Sequence, residues 1–216
     1  MADPKEPLEP GSIYHIFNRA NGHECLFLND NNYEYFLRQY RKYVMPVARG
    51  ICYCLMPNHF HFTVQIRDED LVEQVIATKA IKSGSASRQK IEELRGVERQ
   101  DALSLFIARQ FSHLFNSYTQ AFNKQTGRRG SLFMHGFKRK KVTDETYLAK
   151  LIHYIHYNPV EAGLVHLPWE WKPSSYANIV SGRDGLVESQ LAIRLFEDVE
   201  NFMFCHRHPP KITGVE

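Results

Sequence analysis

Two histidines separated by one residue, His59 and His61, stand in the string Met56-Pro-Asn-His-Phe-His-Phe-Thr-Val-Gln65. The residues from Phe62 to Ile66 alternate and include β-branched types, the pattern of a strand. Successive side chains of a strand point to opposite faces, so His59 and His61 share one face and Phe60 turns into the core behind them. Two imidazoles about 7 Å apart along a strand can converge on one divalent ion, for which neutral imidazole is a common ligand. A second pair comes from far downstream. In Tyr147–Asn158 the apolar stripe is Leu148, Leu151, Ile152 and Ile155. At roughly 100° per residue, Tyr154 falls on the flank of that stripe and Asn158 one turn later on the same side, while Tyr157 falls opposite, toward solvent. A phenolic oxygen and an amide carbonyl could therefore face a metal beside a sheet. Taken singly, these residues also fit a plainer reading: polar histidines on a wet face and a half-buried packing aromatic.

The elements that must position them can be read along the chain. With 216 residues and 43% hydrophobic content, the chain is long and apolar enough for one well-cored domain, which excludes a disordered protein. A net charge of +3 permits a nucleic-acid partner without requiring one. Cys25, Cys52, Cys54 and Cys205 are too few for a disulfide scaffold, and Cys52-x-Cys54 lacks zinc-knuckle spacing. They read as packing residues in a reducing compartment. The N-terminus lacks an apolar leader and no stretch reaches membrane-spanning length, so the expectation is a cytoplasmic protein with no membrane partner.

Residues 1–11 are Pro-rich and read as a flexible N-terminus. Ser12–Arg19 is a strand candidate closed by Asn21-Gly22. Asp30-Asn31-Asn32 starts a helix carrying Tyr33, Phe36, Leu37, Tyr40 and Val44, ended by Pro46. Gly50–Leu55 and His59–Arg67 form a hairpin about the turn Met56-Pro57-Asn58. Residues 79–100, polar and Ser-rich, read as a flexible insertion. Asp101 opens the strongest helix, with Leu103, Phe106, Ile107, Phe111, Leu114, Phe115, Tyr118 and Phe122 in one stripe, closed by Gly127. Gly130–Val142 reads as a strand ending in the basic run Lys138-Arg139-Lys140-Lys141. Thr143-Asp144-Glu145 caps a helix from Tyr147 to about Tyr157, stopped by Asn158-Pro159. Beyond residue 181 an extension contains a short helix near Glu188–Glu200. The order β-α-β-β-α-β-α predicts an α+β fold: a ferredoxin-like, split βαβ antiparallel sheet with helices on one face, plus a C-terminal helical and irregular extension. The expected domain spans residues 12–180.

The strings Leu55-Met-Pro-Asn-His-Phe-His61 and Tyr154-Ile-His-Tyr-Asn-Pro-Val-Glu-Ala-Gly-Leu164 occur in this order, and together they are far more specific than His-x-His. The sequence resembles the HUH-type tyrosine transposases, and among them the REP-associated tyrosine transposase group of bacteria. Tyr14-His-Ile-Phe-Asn-Arg19, Phe122-Asn-Lys124, Gly130-Ser-Leu-Phe133 and Ser174-Ser-Tyr176 fit the same pattern, so that the resemblance covers roughly residues 11–180. It implies a metal-dependent single-stranded DNA endonuclease and strand transferase acting on hairpin-flanked DNA through a 5′-phosphotyrosine. The implied nucleophile is Tyr154, with Tyr157 as runner-up. The implied metal ligands are His59, His61 and Asn158, holding Mg²⁺ or Mn²⁺. Such an ion would polarise the scissile phosphate, and a phenol, which ionises near pH 10, needs that help.

Single-stranded or hairpin DNA is the expected partner. Lys138, Arg139, Lys140 and Lys141 would grip phosphates, extended by Arg128 and Arg129, with Arg19 and Asn18 as weaker contacts. The remaining histidines, His15, His113, His135 and His153 among them, read as structural or surface residues. Two alternatives remain: a replication- or mobilisation-type nickase with the same histidine pair, and a catalytically silent DNA or RNA hairpin binder. The sequence also leaves open a monomer using its own tyrosine or a homodimer exchanging it.

Overall fold

The computed structural model describes residues 6–83, 96–183 and 185–210. Four strands, β1 (Ile13–Arg19), β2 (Ala48–Leu55), β3 (His59–Ile66) and β4 (Lys138–Val142), form one sheet in the order β2-β3-β1-β4. Every neighbouring pair is antiparallel. This is the split βαβ arrangement expected from the element order.

Register divides the sheet into two chemically different faces. Phe60, Phe62 and Val64 of β3 pair with Asn18, Ile16 and Tyr14 of β1 and with Leu55, Tyr53 and Gly50 of β2. Against this apolar face pack α1 (Asp30–Tyr43) and the long α3 (Gly96–Thr126). Tyr40 stacks on Phe62 at 4.5 Å, Phe36 tilts onto Phe60 at 5.4 Å, and Phe115 stacks on Phe60 at 5.4 Å. The helix α1 starts where Asn29 accepts a hydrogen bond from the Asn32 backbone N–H, one residue before the predicted acidic start. Gly127, in the left-handed region at φ 69°, follows the end of α3 as its sequence position predicts.

Several expectations about element limits are corrected. Glu69–Ser83 forms α2, for which the sequence reading gave no helix; its buried stripe of Val72, Ile76 and Ala80 is narrow and aliphatic. The helix expected from Asp101 begins at Gly96, where Arg99 pairs with Glu69 and Glu73 of α2. The expected flexible insertion, residues 79–100, lies mainly outside the described residues, and its ends belong to α2 and α3. The strand expected over 130–142 is confined to Lys138–Val142. Residues 130–137 instead form a loop held by side chains: Arg128 donates to Glu24, Asn123 and the Ser131 carbonyl, and Asn18 donates to the Met134 carbonyl.

The helix carrying Tyr154, α4 (Glu145–Glu161), lies against the opposite face of the sheet. Asp144 caps it by accepting from the Tyr147 N–H at 2.6 Å. It does not stop at Asn158-Pro159 but runs through both. The proline falls in the last turn, where only one intrahelical bond is forfeited, and Ala162 N–H to Asn158 O together with Leu164 N–H to Pro159 O close the end. Burial of Ile155, Asn158 and Pro159 holds the turn helical. After a 3₁₀ turn at Pro168–Glu170, the chain returns along the free edge of β2. There Leu55 N–H bonds Pro173 O, Ser175 N–H bonds Tyr53 O, and the Trp171 indole donates to Leu55 O. The short α5 (Tyr176–Val180) leads to the extension, where two helices, α6 (Ser189–Arg194) and α7 (Val199–Cys205), replace the single one expected. The left-handed Glu197 (φ 72°) turns the chain between them.

The extension docks on β2 at Gly50, whose carbonyl accepts from Glu188 N–H at 2.9 Å. A β-carbon at Gly50 would collide with the Leu186 backbone carbonyl. Gly50→Ala should therefore destabilise the fold by about 1–3 kcal/mol through overpacking, read as a lower urea midpoint. An unchanged midpoint would mean that this docking is loose.

Candidate functional site

The second face of the sheet carries the chemistry. Register places His61 opposite Phe17 and Cys54, and His59 opposite Arg19, with Lys138 and Lys140 continuing the same face on β4 opposite Phe17 and His15. Phe60, fully buried on the aromatic face, fixes this side of the strand. His61 is buried, at 1% exposure, and His59 half-buried. Their rings meet edge to face at 5.1 Å.

The helix α4 brings the second pair to this point. The Tyr154 ring stands edge to face against His61 at 6.0 Å between centroids. One turn on, Asn158 Oδ1 lies 3.3 Å from His59 Nε2. The four residues singled out by spacing thus meet, within one chain. Tyr157, half-buried, stands instead edge to face on His153 of the same helix at 6.1 Å.

The donor set can be tested for a metal. His59 Nδ1 lies 2.7 Å from Asn58 Oδ1. A carbonyl oxygen only accepts, so Nδ1 carries the proton. A neutral imidazole has no second proton, yet Nε2 approaches another amide oxygen, that of Asn158. A second proton or a cation satisfies that contact, and Asn158 Nδ2, buried, has no partner among the described residues. Among the described residues no group of three or more His, Cys, Asp or Glu side chains is arranged to hold a metal ion; the set here is two imidazoles and one amide oxygen. That set fits a divalent ion with open positions, with the imidazoles favouring Mn²⁺ and the amide oxygen admitting Mg²⁺.

Sequence reasoning missed three supports of this centre. His15, read as structural or surface, is fully buried, and its Nε2 lies 2.9 Å from His61 Nδ1. Asn58 fixes the His59 tautomer. His156, also fully buried, spans from Ser175 Oγ (2.8 Å) to His206 Nε2 (3.1 Å), while Ser175 Oγ also accepts from Tyr53 N–H. This chain of bonds clamps α4 to β2. Strand alternation already aligned His15 with Phe17 and Arg19; what was missing was the register that sets β1 against β3.

Burial strips these histidines of charge. His15 is pushed down to about 3 by desolvation and then by the Lys140 charge. His61 falls well below 6.5 through desolvation, then His15 and His59. His156 falls likewise, and desolvation brings His206 to about 3.

The cations expected to bind nucleic acid divide. Lys138 is exposed on the histidine face; Lys140 is half-buried there, against the Tyr147 ring at 5.0 Å. Arg19, exposed, lies opposite His59. Arg139 and Lys141 point to the other face. Arg139 is 8% exposed, over the Phe137 ring at 5.1 Å, and Lys141 pairs with Glu9. Arg128 is bound to Glu24 and the 130–137 loop, and Arg129 is exposed beyond α3. A cleft of about 270 Å³ opens between Arg19, Asn58, His59, Met134, His135 and Lys138.

No family model matches the sequence, and no curated protein matches it. Among solved structures, a REP-associated tyrosine transposase bound to a REP hairpin is similar, with a TM-score of 0.57 over 86% of this chain and 90% of that one. Identity is 13%, so the likeness is one of fold.

Acid should unfold the protein through these histidines. His15 and His206 titrate near 3 when folded and near 6.5 when unfolded. Between those values the unfolded chain binds the extra protons, so their contribution is whole above pH 6.5 and is lost as pH falls. Each adds a slope approaching about 1.4 kcal/mol per pH unit, and His61 and His156 act in the same direction. The urea midpoint should drop steadily below about pH 6; a flat midpoint down to pH 4 would contradict this.

Proposed function

We propose that the protein is a metal-dependent, single-stranded DNA endonuclease and strand transferase that works through a 5′-phosphotyrosine on hairpin-flanked DNA. The observation that carries this reading is that one face of α4 delivers a phenol to His61 and an amide oxygen to His59. A sheet-borne histidine pair with a tyrosine beside it suits phosphoryl transfer better than structure alone requires. The resemblance of the two motif strings to HUH-type tyrosine transposases supports it, as does the fold shared with a hairpin-bound transposase.

In this reading His59, His61 and Asn158 hold Mg²⁺ or Mn²⁺, which when bound polarises the scissile phosphate and offsets the charge that develops on it. The residues do the rest. Asn58 and His15 fix the two imidazoles. The clamp of His156 and Ser175 holds α4 with the Tyr154 ring against His61. That oxygen attacks phosphorus, the bond to the 3′ oxygen breaks, and the 3′ oxygen takes a proton as the phenol loses one. The phosphotyrosyl ester retains the energy of the bond, so the 3′-hydroxyl can later reverse the step without ATP. In this reading Tyr154 serves the histidines of its own chain, against which its ring stands. Arg19 and Lys138 line the cleft that leads to the pair, where a phosphate backbone would lie.

The test is covalent capture. With single-stranded hairpin DNA and Mn²⁺, a protein–DNA adduct resistant to denaturant should form. Tyr154→Phe should abolish it and Tyr157→Phe should leave it. Adduct formation without rejoining would favour a nickase, and no adduct on any hairpin would favour a silent binder.

The split of the basic run gives a separate expectation. Lys138→Ala should weaken hairpin binding and flatten its dependence on log salt by about 0.7–0.9. Lys141→Ala, on the far face, should leave both unchanged in a salt titration.

A further inference from the structure

We propose that His15 is the positioning residue that makes His61 a metal ligand: it accepts the His61 Nδ1 proton and so presents His61 Nε2 to the cation. This rests on the cation-binding reading of the histidine pair and assigns a role to a residue outside the ligand set. The contact is specific. His15 Nε2 and His61 Nδ1 lie 2.9 Å apart, both rings buried and within 20° of a common plane. Phe17 stacks on His15 at 4.5 Å and 24° and on His61 at 5.7 Å. The pair is therefore held in place by an aromatic plate as well as by its own bond.

Two neutral imidazoles facing each other share one proton, and its position decides what His61 can do. If it sits on His15, His61 carries its own proton on Nε2 and cannot ligate. If it sits on His61 Nδ1, then Nε2 offers a lone pair. A ligating histidine commonly donates its other N–H to an acceptor that fixes the ring and raises its basicity, and loss of that acceptor weakens metal binding about 10–100-fold.

Each ring keeps one proton in either arrangement, so the pair carries the same charge in both. In the ligating arrangement the shared proton sits on His61 Nδ1, His15 carries its own on Nδ1, which is buried with no partner among the described residues, and His61 Nε2 would be left bare for a cation.

The test uses the full chain and two readouts that need no DNA. In ¹⁵N NMR of labelled histidine, His61 should carry its proton on Nδ1, facing His15, when the protein is loaded with Zn²⁺, a diamagnetic probe. Mn²⁺ binding followed by electron paramagnetic resonance should weaken about 10–100-fold in His15→Phe and recover to within a few-fold in His15→Gln, whose amide oxygen can accept. Wild-type-like Mn²⁺ affinity in a folded His15→Phe variant, or a Zn²⁺-loaded protein in which His61 Nδ1 carries no proton, would overturn the assignment. The NMR arm stands even if the phenylalanine variant fails to fold. Should Mn²⁺ binding depend on His15 while no phosphotyrosine adduct ever forms, the assignment holds and the nuclease reading is the one that fails.

Discussion

Everything at the site depends on the alternation of β3. Phe60 and Phe62 are locked among Phe36, Tyr40 and Phe115, and a strand so anchored cannot slip by one residue without driving both rings into the opposite layer. The same lock forces His59 and His61 outward, side by side. The aromatic core is thus the reason that two imidazoles meet at 5.1 Å. On the neighbouring strand the same rule makes His15 and Arg19 co-facial with them and sends Asn18 to the other side, where it ties down the 130–137 loop.

The second constraint is the placement of α4. A helix laid on a polar sheet face would slide without specific bonds. Here those bonds are supplied from below by Asn158 against His59 and from behind by His156, Ser175 and the Tyr53 backbone. The extension contributes through His206, which meets His156 in the same buried row. Groups with several hydrogen-bonding options are satisfied there by neutral partners, and desolvation keeps them neutral. Rigidity and a dry setting for chemistry come from one arrangement.

Much of this was legible in the sequence, because it follows from period and punctuation. The strand alternation around His59 and His61, the stripe of α3 and the helical offset of Tyr154 and Asn158 each need only local geometry. What escaped reading was long-range. Nothing local says that Ser175 lies beside His156, or that β1 pairs with β3 so that His15 meets His61. The basic run looked like one patch because charge was counted along the chain; a strand sends neighbouring side chains to opposite faces, so Arg139 and Lys141 left the patch that Lys138 and Lys140 share. Pro159 misled for a related reason: its penalty falls on a turn that burial holds helical regardless. The narrow stripe of α2 gave too weak a period to stand out.

The two margins of the sheet are finished differently. Along β2 the chain's own returning segment, from Trp171 to Ser175, occupies the exposed backbone groups. Along β4, among the described residues, Glu6 accepts from the Lys141 N–H, no strand pairs on that side, and the strand itself is Lys-Arg-Lys-Lys-Val. Cationic side chains on an outer strand deter edge-to-edge pairing. A run that at first suggests only attraction for polyanions therefore doubles as a guard against fibre-like stacking of one molecule on the next, and neutralising it to improve some other property would trade solubility for cross-β growth.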